Sequence, residues 1–154
     1  MITLPGVSRF TADEFFEGEI IPLLDELETE EIRADRPKVL VVDDQRLIAD
    51  TLAEILEGAG FEAVAAYDGW AALELAAHFK PDYLLSDVLM PHMNGVQLAI
   101  AISRTYPAAR ILLFSGQAGI SKIVEEGQLQ GYEFELLAKP IHPLKLIERL
   151  KEKN

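Results

Sequence analysis

Val39-Leu40-Val41-Val42-Asp43-Asp44 is a short apolar run that ends on two carboxylates. A run so short, apolar at every position and rich in β-branched residues, reads as a strand buried on both faces, the signature of a parallel sheet. The pattern recurs three times. Tyr83-Leu84-Leu85 leads into Asp87 within LLSDVLMPHMNG (84–95). Residues 110–114 lead into Ser115-Gly116 within ILLFSG (111–116), and residues 134–138 into Lys139-Pro140 within LLAKP (136–140).

Between these runs the spacing changes from strand to helix. Leu47, Ile48, Thr51, Leu52, Ile55 and Leu56 recur at helical intervals over Gln45–Glu57, before Gly58 and Gly60. Residues 62–66 form a further strand, and helices are expected over Gly69–Phe79, Gly95–Tyr106, Ile120–Gln128 and Pro143–Lys151. Five strands alternating with five helices predict an α/β fold: a five-stranded doubly wound parallel sheet with helices on both faces. Right-handed crossovers leave few topologies, and the flavodoxin-like strand order 2-1-3-4-5 fits best. In that order strands one and three are neighbours at the switch point, where ligands bind beyond the carboxyl ends of the strands. Asp43, Asp44 and Asp87 fall there.

Three carboxylates in one small volume repel one another and call for a cation. Oxygen ligands alone favour a hard ion, and few carboxylates with water completing the shell suit Mg²⁺. Lys139 adds a fixed positive charge and Ser115 a hydroxyl, while Gly116 lets backbone approach a bound group. Such a set fits a phosphoryl group on oxygen, with a carboxylate as the nucleophile. Taken singly, each residue has a plainer reading, as a helix cap or a solvated side chain; the full set in order outweighs it. His78, His92 and His142 lack ligand spacing and read as surface residues, Met90 and Met93 as packing, and Trp70 as a surface or site-mouth residue.

The 154 residues carry an apolar share of 49% and a net charge of −12, with no cysteine. That is enough for a real core, and it excludes disulfides and thiolate metal sites. The acidity argues against nonspecific nucleic-acid binding, and no stretch approaches a membrane span, so a cytoplasmic protein is expected. There is no GxGxxG after the first strand and no GxxxxGK[ST], which disfavours dinucleotide binding and excludes a P-loop. Residues 1–36 hold ten Asp and Glu against three Arg, a net of −7, leaving −5 for the rest. This shift, with Pro37, sets the expected division: an acidic extension over 1–36 and a domain over 37–154. In the extension, Thr11 and Glu14 resemble a capping box, and Phe16, Ile20, Leu23, Leu24 and Leu27 follow at near-helical spacing. A helical segment that packs on the domain or mediates association, including self-association as a homodimer, is expected there.

Residues 37–152 resemble the receiver domain of two-component response regulators. VLVVDD, LLSDVLMPHMNG, ILLFSG and LLAKP each match a strand-end motif of that family, in order, and GFEAVAAYDGWAALELA (60–76) matches its second strand and helix. The resemblance implies that Asp87 accepts a phosphoryl group from the phosphohistidine of a sensor histidine kinase or phosphotransfer protein. It implies that Asp43, Asp44, Asp87 and the backbone carbonyl of Leu89 hold Mg²⁺, that Ser115 contacts the phosphoryl oxygens, that Lys139 pairs with Asp87, and that Lys139-Pro140 is cis. One departure stands out: three positions before the lysine, receivers usually carry an aromatic residue, and here Leu136 stands there, with Phe134 and Tyr132 further along the same strand face.

With the sequence stopping soon after the last helix, the expectation is a stand-alone regulator that is not an enzyme in the ordinary sense and signals to an unknown downstream protein by contact. A phosphorylation-independent binding scaffold is the alternative. A Mg²⁺-dependent phosphatase is weaker, because the DxDx[TV] signature is absent.

Overall fold

The computed structural model describes residues 36–116 and 121–152; the extension over 1–35 lies outside the described residues. The elements run β1 (Lys38–Val42), α1 (Arg46–Gly58), β2 (Glu62–Ala66), α2 (Gly69–Phe79), β3 (Tyr83–Asp87), α3 (Gly95–Thr105), β4 (Arg110–Ser115), α4 (Ser121–Leu129), β5 (Glu135–Ala138) and α5 (Pro143–Lys151). All strand pairs are parallel and the sheet order is 2-1-3-4-5, as the alternation predicts.

The continuous apolar runs are explained by burial on both faces. Val39 to Val42 are wholly buried, and alternate residues serve different cores. Leu40 and Val42 join Leu84, Ile111 and Leu113 beneath α2, α3 and α4. Val39 and Val41 join Leu85, Leu112 and Phe114 beneath α1 and α5, which contribute Ala49, Leu52, Leu56, Leu146 and Leu150. Each fully buried leucine contributes about 1.5–3 kcal/mol, so the two cores carry most of the fold's stability. Caps fix where two helices begin. The Asp68 carboxylate accepts from the Ala71 N–H at 2.8 Å, and Asn94 and Gln97 form a reciprocal capping box that opens α3.

Several boundaries differ from the sequence reading by a residue or more, and three of them bear on the site and its surroundings. β3 continues through Ser86 and Asp87, because Ser86 pairs with Leu113 and Asp87 with Phe114, while the buried Ser86 hydroxyl donates to the Asp87 carbonyl at 2.9 Å. β5 starts at Glu135 rather than 134, so Tyr132 and Phe134 precede the strand instead of sharing its face. The Phe134 ring packs against Gly127 of α4, and the first ladder pair is Glu135 with Leu112. α4 spans Ser121–Leu129 rather than 120–128.

The far end of the sheet is fastened by charge. Glu135 takes Arg110 on both carboxylate oxygens, with Nη2 to Oε1 at 3.0 Å, and also accepts from Arg149 Nε at 2.6 Å. Arg110 Nη1 donates to the Glu152 carbonyl at 2.9 Å, and the Tyr83 hydroxyl to the Leu150 carbonyl at 2.9 Å. The Arg110 hydrogen bonds, followed by that from Arg149, hold the Glu135 carboxyl below its ordinary 4.5. A lowered carboxyl pKa stabilises the fold fully above the unfolded value and loses that contribution as pH falls from 4.5 through the folded pKa. Glu135→Gln is therefore expected to cost about 1–2 kcal/mol at neutral pH, allowing for partial exposure. The loss narrows toward zero in acid, which thermal melts across that window will read.

Candidate functional site

β1 and β3 are adjacent, with Val42 opposite Ser86, so Asp43, Asp44 and Asp87 arrive together beyond their carboxyl ends. β4 lies on the other side of β3, and β5 beyond it, with Ser115 opposite Ala138. That register delivers Ser115, Gly116 and Lys139 to the same edge. Asp44, Gln45, Asp87, Leu89, Ser115, Gly116 and Lys139 line one pocket of about 290 Å³. Every expected site residue lines it except Asp43, which lies beneath it with no exposed surface. Lys139-Pro140 is cis.

The carboxylates of Asp43, Asp44 and Asp87 each place an oxygen within 4.8 Å of the others. Lys139 Nζ stands 3.2 Å from Asp87 Oδ2 and 3.8 Å from Asp43 Oδ2. The Lys139 ammonium also lies over the Phe114 ring, 5.1 Å from its centroid, which gives the cation an apolar floor. Asp43 is held by one hydrogen bond, the Gln45 N–H donating to Oδ1 at 2.9 Å. Its other oxygen is buried without a hydrogen-bond partner. Burial pushes the Asp43 carboxyl above its ordinary 3.8, and the neighbouring Asp87 charge pushes it the same way, against the Gln45 hydrogen bond and Lys139.

An acceptor oxygen buried without a donor costs about 1–3 kcal/mol unless something meets it. A hard cation among the three carboxylates would meet it, and the all-oxygen donor set fits such an ion. Leu89 lines the same pocket.

Gly95 sets the depth of the loop that carries Asp87. Its N–H donates to the Val88 carbonyl at 2.8 Å. A Cβ there would fall on the Asp87 carbonyl oxygen and stand 2.9 Å from Val88 Cα. Both are backbone atoms with nowhere to go, so Gly95→Ala is expected to cost about 3 kcal/mol and to displace Asp87. Denaturant melts, with Asp87 reactivity measured on the folded fraction, will check it.

Two contributors escaped the sequence reading. Gln45 read only as the start of a helix, though its place directly after Asp44 was the available signal. Phe114 read only as a core residue, and its position beneath Lys139 depends on β4 and the β5 end meeting in space. Leu136, by contrast, is 48% exposed beside Leu113 and plays no part in the pocket.

A doubly wound sheet whose switch-point edge carries three carboxylates and one lysine defines a class of phosphoryl-handling signalling domains. The chain belongs to the response regulator receiver domain family, whose model matches residues 39–151. Chemotaxis protein CheY4 of Vibrio cholerae is 33% identical, with a TM-score of 0.67 over 75% of this chain and 97% of that chain. A CheY-like receiver domain protein of Methanospirillum hungatei is 26% identical, with a TM-score of 0.67 over 76% of this chain and 92% of that one. The receiver domain of NtrX from Brucella abortus is 26% identical, with a TM-score of 0.63 over 73% and 94%. The acidic cluster is typical of the Mg²⁺ site of receiver domains, and the family places the chain in two-component signalling, with histidine kinases as the partner class. No helix among the described residues is long and apolar enough to cross a membrane.

Proposed function

We propose that this protein is a phosphorylation-controlled switch that takes a phosphoryl group onto Asp87 from a phosphohistidine of a sensor kinase or phosphotransfer protein. One observation carries the reading: Asp87, 8% exposed, faces a small pocket with Lys139 at 3.2 Å and two further carboxylates beside it. In the transfer, an Asp87 carboxylate oxygen forms a bond to phosphorus, the bond from phosphorus to the imidazole nitrogen breaks, and the electron pair leaves with the imidazole. Lys139 balances negative charge at the reacting group, and the Ser115 hydroxyl donates to a phosphoryl oxygen. Asp43, Asp44, Asp87 and the Leu89 carbonyl would hold Mg²⁺, which neutralises charge on the phosphoryl oxygens. Water attack on phosphorus later returns the carboxylate and releases inorganic phosphate.

A second surface supports docking at this edge. Leu47, Ile48, Ile55, Ile141 and Pro143 line an apolar groove of about 620 Å³ whose end is Lys139. A kinase or phosphotransfer helix seated there would bring its phosphohistidine to the pocket mouth. We take residues 37–154 as the receiver and 1–36 as a separate acidic extension, supported by the charge shift and by a family match that begins at 39. The signal would then leave by protein contact, without membrane insertion or nucleic-acid binding. The likeness to CheY4 over 97% of that chain supports a receiver acting as its own unit.

The alternative, a scaffold that binds partners without phosphorylation, draws on Leu136, which leaves the usual aromatic position aliphatic. Intact mass after incubation with Mg²⁺ and acetyl phosphate separates them. One phosphoryl adduct supports the first reading. A folded protein that stays at its own mass with this donor and with a cognate kinase supports the second.

A further inference from the structure

Lys139 stands within reach of two carboxylates, and its ammonium has to be held in place between them. Nζ lies 3.2 Å from Asp87 Oδ2 and 3.8 Å from Asp43 Oδ2. The side chain is 28% exposed, so water competes for it, and its flexible four-carbon stem gives it other places to go. Asp43 and Asp87 are also two of the three carboxylates that the cluster offers to a cation. An ion seated there draws on the same negative charge, so the pull of these carboxylates on the lysine weakens when the site is filled. The Phe114 ring, whose centroid lies 5.1 Å from Nζ, is a contact for which no ion competes.

That ring is a rigid platform. Phe114 is wholly buried, pairs with Asp87 in the ladder, and belongs to the core that Leu52, Leu85, Leu112 and Leu146 fill. Its carbonyl accepts from the Val88 N–H at 3.1 Å, and the Ser115 carbonyl accepts from the Lys139 N–H at 3.0 Å. Backbone hydrogen bonds thus tie the ring's strand both to the strand of Asp87 and to the root of the lysine. Gly116 closes on that root as well, since a Cβ there would stand 3.1 Å from Lys139 Cβ. A ring face attracts an ammonium through its quadrupole, and the attraction grows as water is excluded. An aliphatic side chain of similar bulk would fill the core and offer no such attraction.

We propose that Phe114 is a positioning residue for phosphoryl transfer: its ring holds the Lys139 ammonium beside Asp87, and it does so through its π face rather than through its bulk. The inference rests on Asp87 as the phosphoacceptor. Wholly buried, the ring meets no phosphodonor itself and acts only through the lysine. Fluorine on the ring drains the negative face while leaving the shape nearly unchanged, so it separates the two roles of the side chain. A core residue tolerates that change, and a platform for a cation does not.

The test places monofluoro-, difluoro- and trifluorophenylalanine at position 114 of the full chain and follows loading by acetyl phosphate with Mg²⁺ by intact mass. The loading rate is expected to fall in step with the number of fluorines, by about fivefold to tenfold at the third, the scale of one partly shielded cation–π contact. The melting temperature is expected to stay close to that of the parent. In a Lys139→Ala background the same series is expected to load at one common slow rate, because the lysine that the ring serves is gone. Nuclear magnetic resonance reads the contact without the chemistry. The Lys139 Hε resonances are expected upfield, in the ring current of Phe114, both in the metal-free chain and with Mg²⁺ and beryllofluoride, and Phe114→Leu is expected to return them to ordinary lysine values. Loading indifferent to fluorine, equal slowing in both backgrounds, or Lys139 resonances that Phe114→Leu leaves in place overturns the positioning role alone. A folded parent chain that forms no adduct overturns the phosphoacceptor reading and the positioning role with it.

Discussion

Asp87→Asn stays at its own mass under the Mg²⁺ and acetyl phosphate conditions that load the parent chain. The amide lacks the anionic oxygen that bonds to phosphorus, and no neighbour replaces it: Asp43 is wholly buried beneath the pocket, and Asp44 approaches from a different strand end. The fold persists in this variant, because it removes one of three crowded carboxylates and leaves both cores intact. Retained thermal stability with lost phosphorylation separates a chemical role from a structural one. Lys139→Ala is the companion. It removes the charge 3.2 Å from Asp87 and should slow loading about a hundredfold, the scale of removing one preorganised charge donor. An Asp87→Asn protein that still gains a phosphoryl group would move the acceptor to another residue.

Mg²⁺ should raise the melting temperature of the parent chain, and Asp43→Asn should remove most of that response while making the metal-free protein more stable. The Asp43 carboxylate is wholly buried, has one oxygen without a hydrogen-bond partner, and lies among Asp44 and Asp87. Replacing it with a neutral amide removes about 1–3 kcal/mol of desolvation and repulsion. In the parent, ion at a hundredfold over its dissociation constant stabilises by about 2.7 kcal/mol. The pH dependence follows from the direction of the shift. The folded Asp43 pKa lies above 3.8, so in that window the folded state holds a proton the unfolded state has released. Its contribution is fully present below 3.8 and lost as pH rises through the raised value. Metal-free melts should show that decline in the parent and its absence in Asp43→Asn. Equal metal responses in both proteins would remove Asp43 from the ion site.

Much of this was legible because parallel strands write their burial into contiguous sequence. Val39–Val42 and Ile111–Phe114 are too short for a helix of their own and read as buried strands, and their polar sequels had to lie on one edge once the order was fixed. The expected site residues meet there with Gln45 added. The features that escaped depend on distances between elements that no periodicity encodes. Gly127 fell inside the helix expected over Ile120–Gln128 with no role assigned to it, yet the Phe134 ring lies where its side chain would be. Glu135 drew no reading of its own, yet two arginines from β4 and α5 converge on it. Phe134 was placed one residue inside β5, because an aromatic beside apolar residues has high strand propensity, and tertiary packing onto α4 prevailed.

β5 also answers a hazard that any open sheet faces. Among the described residues it pairs only with β4, so there its outer edge offers backbone groups to a strand from another molecule. The strand is only four residues long, it begins at a carboxylate already engaged by two arginines, and it gives way to Lys139 and Pro140. A foreign strand would find too short a template, a charge at one end, and at the other a residue with no N–H to offer. The lysine that lines the pocket and the proline directly after it thus also guard the domain against edge-to-edge aggregation, so selection for solubility and selection for signalling would meet at this one turn of chain.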